Sequence, residues 1–220
     1  LLVGAPLNDT NFDKAGAAYL IYGPISSGSL DLVSDHSFYG TYASDYVGSS
    51  VLNTGDINGD GIDDFAISAY RGDPVDALTN AEVSNAGIVY VFYGPLNGSP
   101  VLTDADLILN GDVAAAYFGR DMFKAGDMNA DGFADLMIGA RNRPSNGSTF
   151  LFSGGSSLPA EIWAYNATAQ LDGDSAQAEF GRSAASLGDV DGDGFDDIVV
   201  GAKAADNGGT ASGAAYIYYG

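Results

Sequence analysis

Four apolar runs punctuate this chain: GAAYLIYG (16–23), GIVYVFYG (87–94), GSTFLFSG (147–154) and GAAYIYYG (213–220). Each is rich in aromatic and small or β-branched residues and is closed by glycines, the composition of a mostly buried strand. A second family comprises LLVGA (1–5), FAISA (65–69), LMIGA (136–140) and IVVGA (198–202). Its members carry a small residue near the end, at Gly4, Ser68, Gly139 or Gly201. Such a residue inside a strand marks the close approach of another backbone. A third family is YVGSSV (46–51), YFGRDM (117–122) and EFGRSA (179–184). The order of the three families is fixed, with a period of about 60–70 residues.

Between each Tyr-rich run and the next repeat lies a more polar stretch, such as VLTDADLIL (101–109), which reads as an outer strand. Four antiparallel strands per repeat, evenly spaced, predict an all-β chain built as blades of a β-propeller. A β-sandwich of irregular hairpins is the alternative. The spacing places about four blades at 1–40, 41–111, 112–173 and 174–220. The first begins at its second strand and the last stops at its third. Open blade edges of this kind invite pairing with another chain, so self-association is expected.

Three acidic turns separate the third family from the second: GDINGDGIDD (55–64), GDMNADGFAD (126–135) and GDVDGDGFDD (188–197). All follow D-x-[ND]-x-D-G-x-x-D. Oxygen-bearing side chains at alternate positions, then a glycine for a sharp bend, form the pattern by which loops wrap calcium. The predicted ligands are Asp56, Asn58, Asp60 and Asp64; Asp127, Asn129, Asp131 and Asp135; and Asp189, Asp191, Asp193 and Asp197. The carbonyls of Ile62, Phe133 and Phe195 complete the three sets. The position before the last aspartate holds Asp63, Ala134 or Asp196, and its tolerance of alanine argues against a ligand there. Crowded carboxylates repel without a cation. A donor set of hard oxygens, lacking histidine and cysteine, points to Ca²⁺ rather than zinc or copper. No helical pattern flanks the loops, which distinguishes them from EF-hands. The competing reading is three solvated turns rich in Asp, Asn and Gly.

The formal charge is -21 with only 8 lysines and arginines, which argues against nucleic acid or an anionic membrane as partner. With no cysteine, disulfides, thiolate metal sites and thiol catalysis are excluded. No apolar run approaches a membrane span, so direct insertion is not expected.

The succession of FGRS (180–183), GDINGDGIDD, LLVGAP (1–6) and GIVYVFYG resembles the FG-GAP repeat. That repeat builds the β-propeller of integrin α subunits and of many bacterial surface and secreted proteins. The resemblance implies three Ca²⁺ sites at the rim joining first and second strands. It also implies an extracellular or cell-surface adhesion module that binds protein or carbohydrate ligands on the opposite face. Tyr46-Val47-Gly48 departs from the usual Phe-Gly pair. The absence of disulfides and the acidity suggest a bacterial or archaeal member.

Arg71-Gly72-Asp73 is an RGD tripeptide within a long loop, about residues 70–86, on that opposite face. Long loops in compact domains are often functional. His36, the only histidine, has Ser34 and Asp35 as sequence neighbours but does not thereby form a triad. N-x-[ST] sequons begin at Asn8, Asn97, Asn146 and Asn166; Trp163 reads as packing on an outer strand, with carbohydrate stacking as the alternative. Asp172 and Asp174 form a weaker acidic pair. A binding module is therefore favoured over an enzyme, because most clustered carboxylates are assigned to calcium. The alternatives are the propeller portion of a secreted hydrolase or lyase and a structural repeat of a surface assembly.

Overall fold

A computed structural model describes residues 1–24, 34–76, 79–144, 146–174, 178–206 and 208–220. The first sheet contains β1 (Leu2–Ala5), β2 (Ala17–Leu20) and β3 (His36–Tyr39) in that order. The second is built on β4 (Val47–Gly55) and β5 (Asp64–Ala69). A small hairpin, β6 (Val75–Asp76) and β7 (Ala81–Glu82), precedes its next strands, β8 (Ile88–Phe92) and β9 (Leu107–Asn110). The third sheet contains β10 (Asp121–Gly126), β11 (Asp135–Ala140) and β12 (Ser148–Phe152). Next in the chain, β13 (Glu161–Trp163) leaves to pair in parallel with β9, and β14 (Ala169–Asp172) completes the third sheet. The fourth comprises β15 (Phe180–Gly188), β16 (Asp197–Ala202) and β17 (Ala214–Tyr218). Apart from the β13–β9 pair, neighbours within these sheets run antiparallel. The chain is all-β, with the serial antiparallel sheets of a partial β-propeller.

The repeated sequence families occupy equivalent places. Each Tyr-rich run pairs with its VGA-type run, as in Phe65 opposite Phe92, Leu136 opposite Phe152 and Ile198 opposite Tyr218. Successive sheets face one another, β4 beside β1, β10 beside β4, and β15 beside β10 and β11. The small residues explain how they come close enough. A methyl on Gly4 would lie 1.9 Å from the Gly48 carbonyl oxygen, and one on Gly139 would lie 2.3 Å from that of Gly181. The glycine of the third family thus abuts the small residue of the preceding sheet. At Ser68 the hydroxyl meets Ser49 Oγ at 2.9 Å and the Ser50 amide at 3.2 Å. Gly201 is crowded instead within its own sheet, by Ser183.

Beside each glycine of the third family, Val47, Phe118 and Phe180 are buried. Phe118 packs edge-on to Phe150 and Phe152 at centroid distances of 5.7 and 5.9 Å. Val47 fills the corresponding place beside Phe38 and Ile67 despite its smaller side chain.

One expectation is corrected. Residues 101–109 do not form a continuous outer strand. Leu102–Asp104 is a 3₁₀ turn and the strand begins at Leu107. The Asp104 carboxylate accepts the Val101 amide at 3.0 Å, and Asp106 accepts the Tyr93 amide at 2.8 Å. Local capture of backbone donors by aspartate curls the chain before it can extend, and Leu102 is buried in that curl. Trp163 packs beside the outer edge, buried at the end of β13.

Candidate metal centre

Each acidic loop closes the hairpin between a first and a second strand: β4 to β5, β10 to β11, β15 to β16. The three loops share one internal bonding scheme. Asp56 accepts the amides of Gly59 (2.7 Å), Asp60 (3.1 Å) and Gly61 (2.8 Å). Asp127 accepts those of Asp131 (3.0 Å) and Gly132 (2.8 Å). Asp189 accepts those of Gly192 (2.5 Å), Asp193 (3.1 Å) and Gly194 (2.9 Å). Asn58, Asn129 and Asp191 each accept the amide two residues on, at 2.9, 3.1 and 3.1 Å. Asp60, Asp131 and Asp193 in turn accept the amides of Ile62, Phe133 and Phe195 at 2.9, 3.0 and 3.0 Å. These bonds wind the backbone around the side-chain oxygens. The bend needs φ of +88°, +89° and +97° at Gly61, Gly132 and Gly194, a region that glycine enters without a Cβ clash.

The final aspartate of each loop sits deeper. Asp64, Asp135 and Asp197 are buried. One oxygen accepts an amide at the start of the loop, from Ile57 (2.9 Å), Met128 (2.9 Å) or Val190 (2.8 Å). The other accepts an amide at the end of the Tyr-rich strand, from Gly94 (2.9 Å), Gly154 (2.9 Å) or Gly220 (3.1 Å). This residue therefore clamps three segments together, a role the motif alone did not disclose. Burial raises the pKa of Asp64 and Asp135 from the usual carboxylate range, opposed by these same amide bonds.

The donor set fits a hard divalent cation. A carboxylate oxygen has two lone-pair positions, so an amide bond to it leaves room for a further contact. In the third loop, carboxylate oxygens of Asp189, Asp191 and Asp197 lie within 4.8 Å of one another. Loops one and two have the amide oxygens of Asn58 and Asn129 in place of Asp191, with the Nδ2 groups turned to Asp60 (3.1 Å) and Asp131 (2.8 Å). Asp191 has its pKa raised by desolvation, with Asp193, Asp197 and Asp189 adding like charge. Among the described residues, no ion pair involves a carboxylate of these loops. Negative charge thus accumulates in all three without a basic side chain to offset it.

The opposite end of the sheets is organised by arginines. The Arg71 guanidinium lies 5.2, 5.7 and 5.4 Å from the rings of Tyr46, Tyr70 and Tyr117. Gly72 is buried, and Asp73 accepts the Asn85 amide. The RGD tripeptide is therefore built into the loop base, with its arginine held among tyrosines. Residues 77–78 of the 70–86 loop lie outside the described residues. Arg143 pairs with Asp112, and Arg182 with Glu179. Asp112 lies 31 residues from Arg143, so that pair has no local signature, whereas Glu179 and Arg182 stand three residues apart in one turn.

Other flagged residues have ordinary partners. His36 packs edge-on to Tyr22 at 5.5 Å, while Ser34 bonds Ser37. Asp172 accepts the Ser148 hydroxyl (2.6 Å) and Asp174 the Tyr216 hydroxyl (2.7 Å), so this pair is divided between two contacts. Asn8 bonds Tyr19 and Asn146 bonds the Gly173 carbonyl, whereas Asn97 and Asn166 are exposed. No helix among the described residues is long and apolar enough to cross a membrane.

Comparison with known proteins agrees with this architecture. Residues 47–92 and 180–218 match the FG-GAP repeat family. The intervening loop at 127–135 falls outside that match yet has the same bonding scheme. Integrin alpha-V of Gallus gallus is 35% identical over 178 residues, which covers 80% of this chain and 15% of that protein. Integrin alpha-PS5 of Drosophila melanogaster is 32% identical over 175 residues, 78% of this chain and 16% of that protein. Integrin alpha-IIb of Mus musculus is 31% identical over 177 residues, 77% of this chain and 16% of that protein. The chain spans less than a fifth of the length of these relatives.

Proposed function

Because this chain carries FG-GAP repeats and is homologous to integrin α subunits, we propose that it is a non-catalytic, calcium-stabilised recognition module of an extracellular or cell-surface protein. The observation that carries this reading is the threefold recurrence of one loop geometry around uncompensated carboxylates. Asp56, Asn58, Asp60, Asp64 and the Ile62 carbonyl would hold one ion. Asp127, Asn129, Asp131, Asp135 and the Phe133 carbonyl would hold a second, and Asp189, Asp191, Asp193, Asp197 and the Phe195 carbonyl a third. A bound cation supplies positive charge where the carboxylates otherwise repel.

The four sheets are read as consecutive blades, with boundaries near 40, 111 and 173. Strand β13 crosses the second boundary to extend its neighbour. The ligand is a protein, bound at the end opposite the loops, where the β6–β7 hairpin and the Arg71 cluster lie. Carbohydrate stacking on Trp163 is disfavoured by its burial.

The test is thermal unfolding with and without cation. Millimolar Ca²⁺ should raise Tm and a chelator should lower it, since a ligand bound only by the folded state stabilises it. Affinities of about 10⁻⁴–10⁻³ M, typical of extracellular modules, suffice. Identical melting curves in both conditions would overturn the calcium assignment.

A further inference from the structure

The residue before the last aspartate of each acidic loop is not among the predicted ligands, because Ala134 occupies that position in the second loop. The structure gives that position another task. The Asp196 amide donates to the Asp127 carbonyl at 3.1 Å, and Asp196 Oδ2 accepts the Asp127 amide at 3.0 Å. Both groups of one third-loop residue thus engage both backbone groups of the first ligand residue in the second loop. At the preceding junction the Ala134 amide donates to the Asp56 carbonyl at 2.9 Å, and alanine offers no second bond. Asp63 accepts the Asn53 side chain at 2.8 Å.

We propose that Asp196 is a positioning residue that couples cation loading of the second and third loops, and that the first and second loops are coupled more weakly. This inference rests on the cation reading of the loops. Asp196 stands between the Phe195 carbonyl and the Asp197 carboxylate, two donors of the third loop. It cannot keep its bonds to Asp127 while those neighbours shift freely. Asp127 in turn holds the second loop through the amides of Asp131 and Gly132. Ordering either loop therefore reduces the freedom that the other must lose when it binds, which is positive coupling between sites. The close fit is built for this contact. Gly126 leaves the space that the Asp196 carboxylate occupies, since a methyl there would lie 2.1 Å from Oδ2. Gly55 leaves an equivalent gap that faces only the Ala134 methyl, 3.1 Å from the corresponding position.

The test is Ca²⁺ titration of the isotopically labelled chain, following the Gly61, Gly132 and Gly194 amides by NMR as separate reporters of the three loops. Asp196→Ala should weaken the midpoint at Gly132 by roughly five- to tenfold, in the usual range of site coupling, and leave Gly61 unchanged. Asp196→Asn keeps an acceptor while removing the charge, so it should stay within about twofold of the parent. Equal weakening by both variants would mean that charge alone acts, and an unchanged Gly132 midpoint in Asp196→Ala would mean that no coupling exists; either result overturns the proposal. If Asp196→Ala does not fold, Ala134→Asn supplies the second arm. It installs the missing acceptor at the first junction without charge and should tighten the Gly61 midpoint several-fold; no change there refutes the coupling. Should no loop amide respond to Ca²⁺ in the parent, the cation reading itself fails and the coupling falls with it.

Discussion

Replacing Asp135 with alanine should damage the fold even when no cation is present, whereas replacing Asp131 should not. Asp135 is fully buried and accepts two amides, from Met128 and Gly154, each at 2.9 Å. Its removal strands two donors at the meeting point of a loop and two strands. A buried donor left without a partner costs about 1–3 kcal/mol. The expected loss is thus about 2–6 kcal/mol, a large share of the roughly 5–15 kcal/mol that holds a domain together. Asp131 is exposed, and its partners Phe133 and Asn129 can turn to water, so Asp131→Ala should cost under about 1 kcal/mol in chelator. In Ca²⁺ the order of effects changes, because Asp131→Ala should also lose most of the second site's share of cation stabilisation. Urea unfolding followed by the fluorescence of buried Trp163 measures both variants with and without Ca²⁺. An Asp135→Ala variant with the parent's midpoint in chelator would refute the clamp. An Asp131→Ala variant that keeps the full Ca²⁺ response would refute its role as a ligand.

Arg71→Ala should cost about 1–2 kcal/mol through loss of its contacts with three tyrosines, measurable by urea unfolding. Asp45 is held by burial, and secondarily by Asp73, at a pKa of about 6 against an ordinary 3.8. Its proton is bound more tightly when folded, so its contribution is greatest below about pH 4 and is lost as pH rises through about 6. The swing is on the order of 3 kcal/mol; unfolding in chelator should show Asp45→Asn flattening that slope and gaining stability at pH 7. Gly139→Ala should destabilise by several kcal/mol, because its methyl would meet the Gly181 carbonyl oxygen at 2.3 Å between two sheets; a Tm within 2 °C (roughly 0.5–1 kcal/mol) of the parent would contradict that packing.

The repeated strands and acidic turns were legible because a glycine-bounded apolar run and an Asp spacing are local properties. The small residues at Gly4 and Gly139 were readable as points of close approach, although which backbone approached them was not. That partner, Gly48 or Gly181, comes from another sheet. The outer strands were the least legible, since β3, β9 and β14 are only four residues long and β3 and β14 are only partly buried. At 101–109 local aspartate bonds outweighed the tendency of the stretch to extend. The dual character of Asp64, Asp135 and Asp197 was also hidden. The motif shows an oxygen at that position, but the glycine amide that it clamps lies 19 to 30 residues away in the chain. The same holds for Asp196, whose partner in the second loop is 69 residues distant. Val47 shows the limit in the other direction: a departure from Phe-Gly in the sequence leaves the buried place intact.

The most direct measurement is an anomalous difference map from crystals grown in calcium. The account predicts three peaks per chain, each about 2.3–2.6 Å from the oxygens of one acidic loop. Loops with ordered side chains and no peak in any of them would contradict it.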